Sequence, residues 1–382
     1  AASDVYKRQG VFCLGGKKTS PEGKEKVNEV ICFLKRIQSK IKPYFQNKLG
    51  RELNYEDVYF VCWQIRDHLY KEHENPVIED FVKQIADSMK DKLKVNNLQE
   101  LSGKATNYIQ DVVWRLLKKC PAGFTSLEWI GDACRDEGII ELNIFTLNHD
   151  IVLEKYFSQN SISFVDGFKQ LSEKGLLWKP ELFDKPTEKV RLYKLHGSID
   201  WFLFRGEKSD KRFYIKVPCL NSDVEHLDLK VDSERLEIDE ARPVLLVGTF
   251  NKIFWYTRGI FRELYFKFSQ VLQDIDCLVV CGYGFGDKAV NTVIAEWMEK
   301  CYRRRMIIIH PCPKDLKKGA RGAISNNWDW WKKHGRLGVI RKHAERVTWD
   351  CVKRKCKRLK PKQPKRRKIS GEFFQKNETF SF

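Results

Sequence analysis

Asn148, Asp150 and His196 are the residues of this chain best placed for chemistry, because each follows an apolar run that stops abruptly in polar residues. The first run ends in Thr146-Leu147-Asn148-His149-Asp150, the second in Leu195-His196-Gly197-Ser198. In α/β proteins ligands bind where buried strands hand over to loops, so two such endings point to one shared crevice. There an amide such as Asn148 can place a water or hydroxyl, and an imidazole such as His196 can move a proton near neutral pH. Other roles compete for the neighbours. Asp150 stands ahead of Ile151-Val152-Leu153-Glu154 and suits a helix cap, and His149 is expected to face solvent or pack locally. Gly197 and Ser198, directly after His196, leave room for backbone to approach a ligand closely.

The elements that must hold these residues follow from periodicity. Val27, Val30, Ile31, Leu34, Ile37 and Ile41 recur at helical spacing, as do Val58, Val61, Ile65 and Leu69, with Asn54 and Asp57 as cap and first-turn acid. Leu98, Leu101, Ala105, Ile109, Val112 and Leu116 mark a further helix, and residues 81–89 another, so the region 24–137 is mainly helical. From 139 onward, short apolar runs (139–145, 190–195, 243–247, 276–281 and 306–309) alternate with amphipathic segments. Runs apolar at nearly every position suit strands covered on both faces. The expected fold is therefore α/β: a Rossmann-like, doubly wound, mostly parallel sheet with a helical N-terminal region. Between Trp201 and Val217, Phe202, Phe204, Phe213 and Ile215 alternate with polar residues, which predicts a small inserted hairpin.

Two further strand endings carry candidate ligand contacts. Gly248 and Thr249 end the 243–247 run, with Asn251 and Lys252 following. Gly282-Tyr283-Gly284-Phe285-Gly286-Asp287 lies between a strand and a helix, where free backbone N–H groups can meet a phosphate or ribose and Asp287 can cap. Asn291 falls one turn into that helix.

The 382 residues, 42% of them hydrophobic, can bury a large core, and the longest apolar runs are far shorter than the roughly 20 residues a bilayer span needs. That pattern predicts a cytoplasmic protein with no membrane contact. The twelve cysteines include no Cys-x-x-Cys pair, so neither a disulfide framework nor a metal site is expected. Asp4-Val5-Tyr6-Lys7-Arg8-Gln9 reads as the translation of a sequencing-library transposase adapter, so residues 1–9 are expected to be foreign to the fold. The folded domain is expected over 10–350. Residues 353–382 hold twelve Lys/Arg against Glu372 and Glu378, a net +10 of the total +19. The stretch through Lys368 carries two prolines and no apolar periodicity, which predicts a disordered, self-repelling tail; it is either an arm for nucleic acid or a solubilising end.

Taken in order, Thr146-Leu147-Asn148-His149-Asp150, Leu195-His196-Gly197-Ser198, Arg242 to Gly248, Gly282 to Asp287 and Ile309-His310-Pro311 resemble the sirtuin superfamily, over about 139–313. More closely they look like its sirtuin-like branch of prokaryotic NAD hydrolases used in antiphage defence. The resemblance implies NAD as substrate, with Asn148 holding water or ribose, Asp150 near the nicotinamide end and His196 as general base or ribose anchor. It implies cofactor contacts at Thr146, Gly197, Ser198, Gly248, Thr249, Gly282, Gly284, Phe285, Asp287 and His310. Members of that branch are fused to other domains or form oligomers, which implies a homo-oligomer or partner domain here.

Two departures matter. Where the family opens with a phosphate-cradling Gly-Ala-Gly-x-Ser loop, this chain has Val11-Phe12-Cys13-Leu14-Gly15-Gly16-Lys17-Lys18; Gly15 and Gly16 stand in that place in a broken pattern. Protein-deacylating sirtuins carry two Cys-x-x-Cys pairs after the His motif, and this chain has only Cys219 there. Hydrolysis of NAD to nicotinamide and ADP-ribose therefore ranks above NAD-dependent deacylation. An inactive module that senses a nucleotide or binds nucleic acid is the third reading.

Overall fold

The computed structural model describes residues 21–72, 76–88, 98–119, 121, 123–219, 223–248 and 252–362. Gly15, Gly16, Thr249, Asn251, residues 1–9 and the end of the basic tail from 363 lie outside the described residues. The chain divides into two units, residues 1–124 with 134–268 and residues 125–133 with 269–382.

The first unit begins with four helices: α1 (Pro21–Leu49), α2 (Tyr55–Leu69), α3 (Pro76–Asp87) and α4 (Leu98–Leu117). Their buried stripes include Val30, Leu34, Ile37 and Ile41 on α1 and Leu101, Ala105 and Ile109 on α4, as the spacing predicts; Phe33 and Val113 join them, whereas Leu116 is exposed. The start of α2 is fixed by a reciprocal cap. The Asp57 N–H donates to Asn54 Oδ1 at 3.0 Å, and the Asn54 N–H donates to Asp57 Oδ2 at 3.0 Å. Arg51 then closes on the same carboxylate through two bonds of 2.7 and 2.8 Å. The helical core also takes in Ile199, Leu245 and Val247, so these helices back the loops that follow the central strands.

Those strands form a parallel sheet of β1 (Leu142–Thr146), β2 (Phe164–Val165) and β5 (Val190–Lys194), in the order β1-β5-β2. The helix α5 (Val152–Gln159) connects β1 to β2. Between β2 and β5 in sequence lie β3 (Phe168–Ser172) and β4 (Gly175–Trp178), which join β6 (Trp201–Gly206), β7 (Arg212–Lys216), β8 (Leu229–Val231) and β9 (Glu234–Glu240) in a six-stranded antiparallel sheet. That sheet is larger than the small hairpin expected from 201–217. Its inner strand β9, Glu234-Arg235-Leu236-Glu237-Ile238-Asp239-Glu240, is too charged to announce itself, yet it pairs with β6 on one side and β8 on the other.

The run 243–247 is a second correction. It is not a strand of the parallel sheet: it lies antiparallel to the segment after β5, with Gly197 bridged to Leu245. The Val244 N–H donates to Trp201 O at 2.8 Å, and the Leu246 N–H donates to His196 O at 2.9 Å. An apolar run predicts burial on both sides but not the direction of its partner. The helix α6 (Gly259–Asp274), whose residues to Phe268 belong to this unit, buries Ile260, Phe261, Leu264 and Phe268.

The second unit is a parallel sheet of β10 (Cys277–Cys281), β11 (Arg305–Ile309) and β12 (Leu337–Ile340), with α7 (Lys288–Lys300), α8 (Ala323–Lys333) and α9 (Trp349–Arg358). Ile307, Ile309, Ile340, Val347 and Val352 form its core with Trp129. Here the expected disordered tail is corrected in part, since residues 353–358 belong to α9, whose apolar side (Val352, Cys356, Leu359) packs into that core.

Removing one cap donor or acceptor typically costs about 1 kcal/mol. Asn54→Ala should lower the unfolding free energy by about that amount without changing the denaturant slope. Urea titration followed by circular dichroism checks this.

Candidate functional site

The parallel register places Thr146 opposite Lys194, so β1 and β5 end side by side and their loops start together. The Leu195 N–H donates to Thr146 O at 3.0 Å and the Ile199 N–H to His149 O at 2.9 Å. These bonds lace residues 146–149 to residues 195–199. Within the first loop the Asn148 N–H donates to Thr146 Oγ1 at 3.1 Å, a local turn that leaves Asn148 exposed beside it. Asp150 Oδ1 accepts from the Val152 N–H at 3.1 Å, which makes a local turn just ahead of α5; the N-cap itself is Ile151, which has no side-chain cap bond, so Asp150 is not the cap its position suggested.

His196 is 3% exposed, and its Nε2 lies 2.8 Å from the hydroxyl of Tyr256. Tyr256 is itself buried and stacks on Tyr265 at 4.6 Å. Tyr256 stands apart from every motif and carries no signal in the sequence. His149, expected at the surface or in local packing, is buried with its ring 6.0 Å from that of His196. Among the described residues its Nδ1 has no hydrogen-bond partner. Burial first, then the positive potential of His196, Lys252 and Lys194, holds its pKa well below 6.5. His149 is therefore neutral in the folded protein.

Gly197 carries φ +78°, and a Cβ there would stand 2.0 Å from Val244 O. The close backbone approach that the His-Gly pair invites is thus made by this chain's own segment 244–246. Ser198 is fully buried; its N–H donates to Val244 O at 3.2 Å and its hydroxyl to His149 O at 3.4 Å. Gly248 follows at φ +112°.

Beneath these loops lies a buried charge layer. Lys194, 2% exposed, pairs with Glu154 at 2.9 Å and donates to Asp150 O. Lys216 pairs with Asp166 at 2.6 Å and stands 3.9 Å from Asp200. Burial raises the Asp200 pKa against the pull of Lys216. Burial opposes the Lys216 charge, but Asp166, Asp200 and Glu154 together raise its pKa.

In the second unit the turn after β10 is closed by its own side chains. Gly282 and Phe285 have positive φ, and Phe285 is fully buried. Asp287 caps α7, accepting from the N–H groups of Ala289 and Val290 at 2.9 and 3.1 Å. Asn291 donates to Phe285 O at 2.8 Å, and its Oδ1 lies 2.8 Å from the Tyr283 hydroxyl. A Cβ on Gly282, Gly284 or Gly286 would meet nothing within 4 Å. His310 ends β11, and its Nδ1 accepts from the Cys312 N–H at 3.0 Å. Among the described residues no group of three His, Cys, Asp or Glu side chains is arranged to hold a metal, and no helix is long and apolar enough to cross a membrane.

Residues 142–335 match the family profile described as SIR2-like domain, and the chain belongs to that family. No curated protein matches it by sequence. Among solved structures it is similar to a Sir2 homolog–NAD complex, at 13% identity, 72% coverage of this chain, 82% of that one and a TM-score of 0.35. It is also similar to a mutant Sir2 homologue in complex with ADP-ribose, at 13% identity, 68% and 80% coverage and the same score.

Two outcomes test this geometry. Gly197→Ala must move the Val244 carbonyl and adopt a disfavoured φ, so it should cost at least about 2 kcal/mol of stability by denaturant unfolding. A buried neutral histidine binds its proton only in the unfolded state. His149 should therefore lend stability above about pH 6.5 that is lost by up to about 1.4 kcal/mol per pH unit below it. His149→Gln should unfold with a flatter stability profile between pH 6.5 and 5; an identical profile would contradict the burial.

Proposed function

We propose that the chain is an NAD glycohydrolase in which water replaces nicotinamide on the anomeric carbon of the ribose. The C–N bond to nicotinamide breaks, a C–O bond to water forms, and the water proton is lost to a base, giving nicotinamide and ADP-ribose. Cleavage through an oxocarbenium-like state needs a group that places the nucleophile and a base beside the ribose hydroxyls. The observation that carries this reading is the lacing of the Asn148 loop to the His196 loop at the ends of two adjacent parallel strands. Asn148 presents an exposed amide for water or ribose. His196 is the base or ribose anchor, and the Tyr256 hydroxyl holds its ring in place. Asp150 shapes the turn ahead of α5, and its part in orienting nicotinamide is secondary. Thr146, Gly197, Ser198 and Gly248 border the same loops, while Gly282, Gly284, Phe285, Asp287 and His310 are separate candidates for nucleotide contact. We further read the chain as a member of the antiphage NAD hydrolase branch.

No observation favours deacylation, since Cys219 stands alone where the deacylases have two Cys-x-x-Cys pairs. The test is release of free nicotinamide from NAD by the purified full chain. His196→Ala and Asn148→Ala should each slow release by on the order of 10²-fold or more while circular dichroism shows both variants still folded. Undiminished turnover in both variants would overturn the assignment, and release of O-acetyl-ADP-ribose from an acetyl-lysine peptide would replace it with deacylation.

A further inference from the structure

The positive charge of this protein sits at one end of its sequence. Residues 1–300 carry 45 Lys/Arg and 45 Asp/Glu, so they are neutral overall. Residues 301–382 carry 25 Lys/Arg against 6 Asp/Glu, the whole of the net +19. Most of this excess is in folded chain: residues 301–362 alone hold 20 Lys/Arg against 4 Asp/Glu.

The fold gathers part of that charge into one strip. The turn after α8 is pressed against the chain that leaves α9, since a Cβ on Gly335 would lie 2.5 Å from Lys360 O. The Lys362 N–H donates to His334 O at 3.0 Å. Lys332 and Lys333 of the last turn of α8 are thereby neighbours of Lys360 and Lys362, and Lys357 and Arg358 precede these at the end of α9. All six are exposed. The carboxylates closest in sequence are engaged elsewhere, Asp329 with Lys317 at 2.6 Å and Asp350 with Lys353 at 3.1 Å. Among the described residues none of the six forms an ion pair. Helix-end cations relieve the negative end of a helix dipole, but that effect does not account for Lys360 and Lys362, which lie beyond the helix.

We propose that this strip binds the phosphodiester backbone of nucleic acid without reading base sequence. The alternative polyanion is an anionic membrane. A membrane-surface helix also needs an apolar face to insert. The apolar side of α9 is already committed to the core of its own unit, and the exposed large hydrophobic residues among those described all precede residue 300. A surface of cations with no insertable apolar residue suits phosphates spaced along a strand. The proposal is independent of NAD chemistry.

The test is fluorescence anisotropy of an end-labelled 30-base-pair DNA duplex titrated with the full chain between 50 and 200 mM salt. Binding should weaken steeply with salt. Replacing Lys332, Lys333, Lys357, Arg358, Lys360 and Lys362 by Gln should weaken it on the order of 100-fold at low salt and flatten the log–log slope by up to about 5. A control, Lys169→Gln with Lys208→Gln, Lys211→Gln and Lys230→Gln, should bind like the parent, and circular dichroism should show both variants folded. Unchanged affinity and slope in the six-site variant would overturn the proposal. So would binding of the parent to phosphatidylserine vesicles but not to the duplex.

Discussion

The site depends on backbone lacing between two loops that sequence separates by about fifty residues. Parallel pairing of β1 with β5 brings their ends together, and the bonds from Leu195 to Thr146 and from Ile199 to His149 carry that alignment past the sheet. The segment 244–246 then closes over Gly197 so tightly that no side chain fits there. An amide on one loop and an imidazole on the other are thus held by main chain rather than by each other. Such an arrangement preorganises them with little further loss of freedom on binding.

The buried ions beneath the loops serve the same constraint. A cation as buried as Lys194 persists only when paired and hydrogen-bonded. Its two partners, the Glu154 carboxylate and the Asp150 carbonyl, lie on α5 and at its start, so the charge anchors that helix to β5. Lys216 does likewise between Asp166 and Asp200, and the Val217 N–H donates to Asp200 O at 2.7 Å, which ties the loop after His196 to the antiparallel sheet. His149 sits above this layer as a neutral ring. Burial keeps it so, and the positive potential of His196, Lys252 and Lys194 adds to that effect.

Much of this was legible before the fold was known, and what was missed has physical causes. The N-terminal helices follow from 3.6-residue stripes, and the Asn54–Asp57 cap from residue types at fixed spacing. The strands β1, β5, β10 and β11 follow from short, mostly apolar runs. Apolarity alone did not reveal that 243–247 pairs antiparallel with a loop. Leu337-Gly338-Val339-Ile340 was too short, with a glycine inside, to stand out as β12. The charged β9 is held in its sheet by backbone bonds that leave little trace in composition. At the site, Asn148 and His196 were visible because polar residues end apolar runs. Tyr256 was invisible because its link to His196 spans sixty residues of chain and belongs to no motif.

The two units divide the chemistry and the charge: the laced loops lie in a portion of sequence that is neutral overall, and the cationic strip lies in the other unit. The central claim concerns the loops, that Asn148 and His196 converge on one ribose. A crystal structure of the protein with a non-hydrolysable carbocyclic NAD analogue tests it most directly. The account predicts the pseudo-ribose hydroxyls within hydrogen-bond distance of the Asn148 amide and of the His196 imidazole. An analogue bound away from both residues, or touching only one of them, would contradict it.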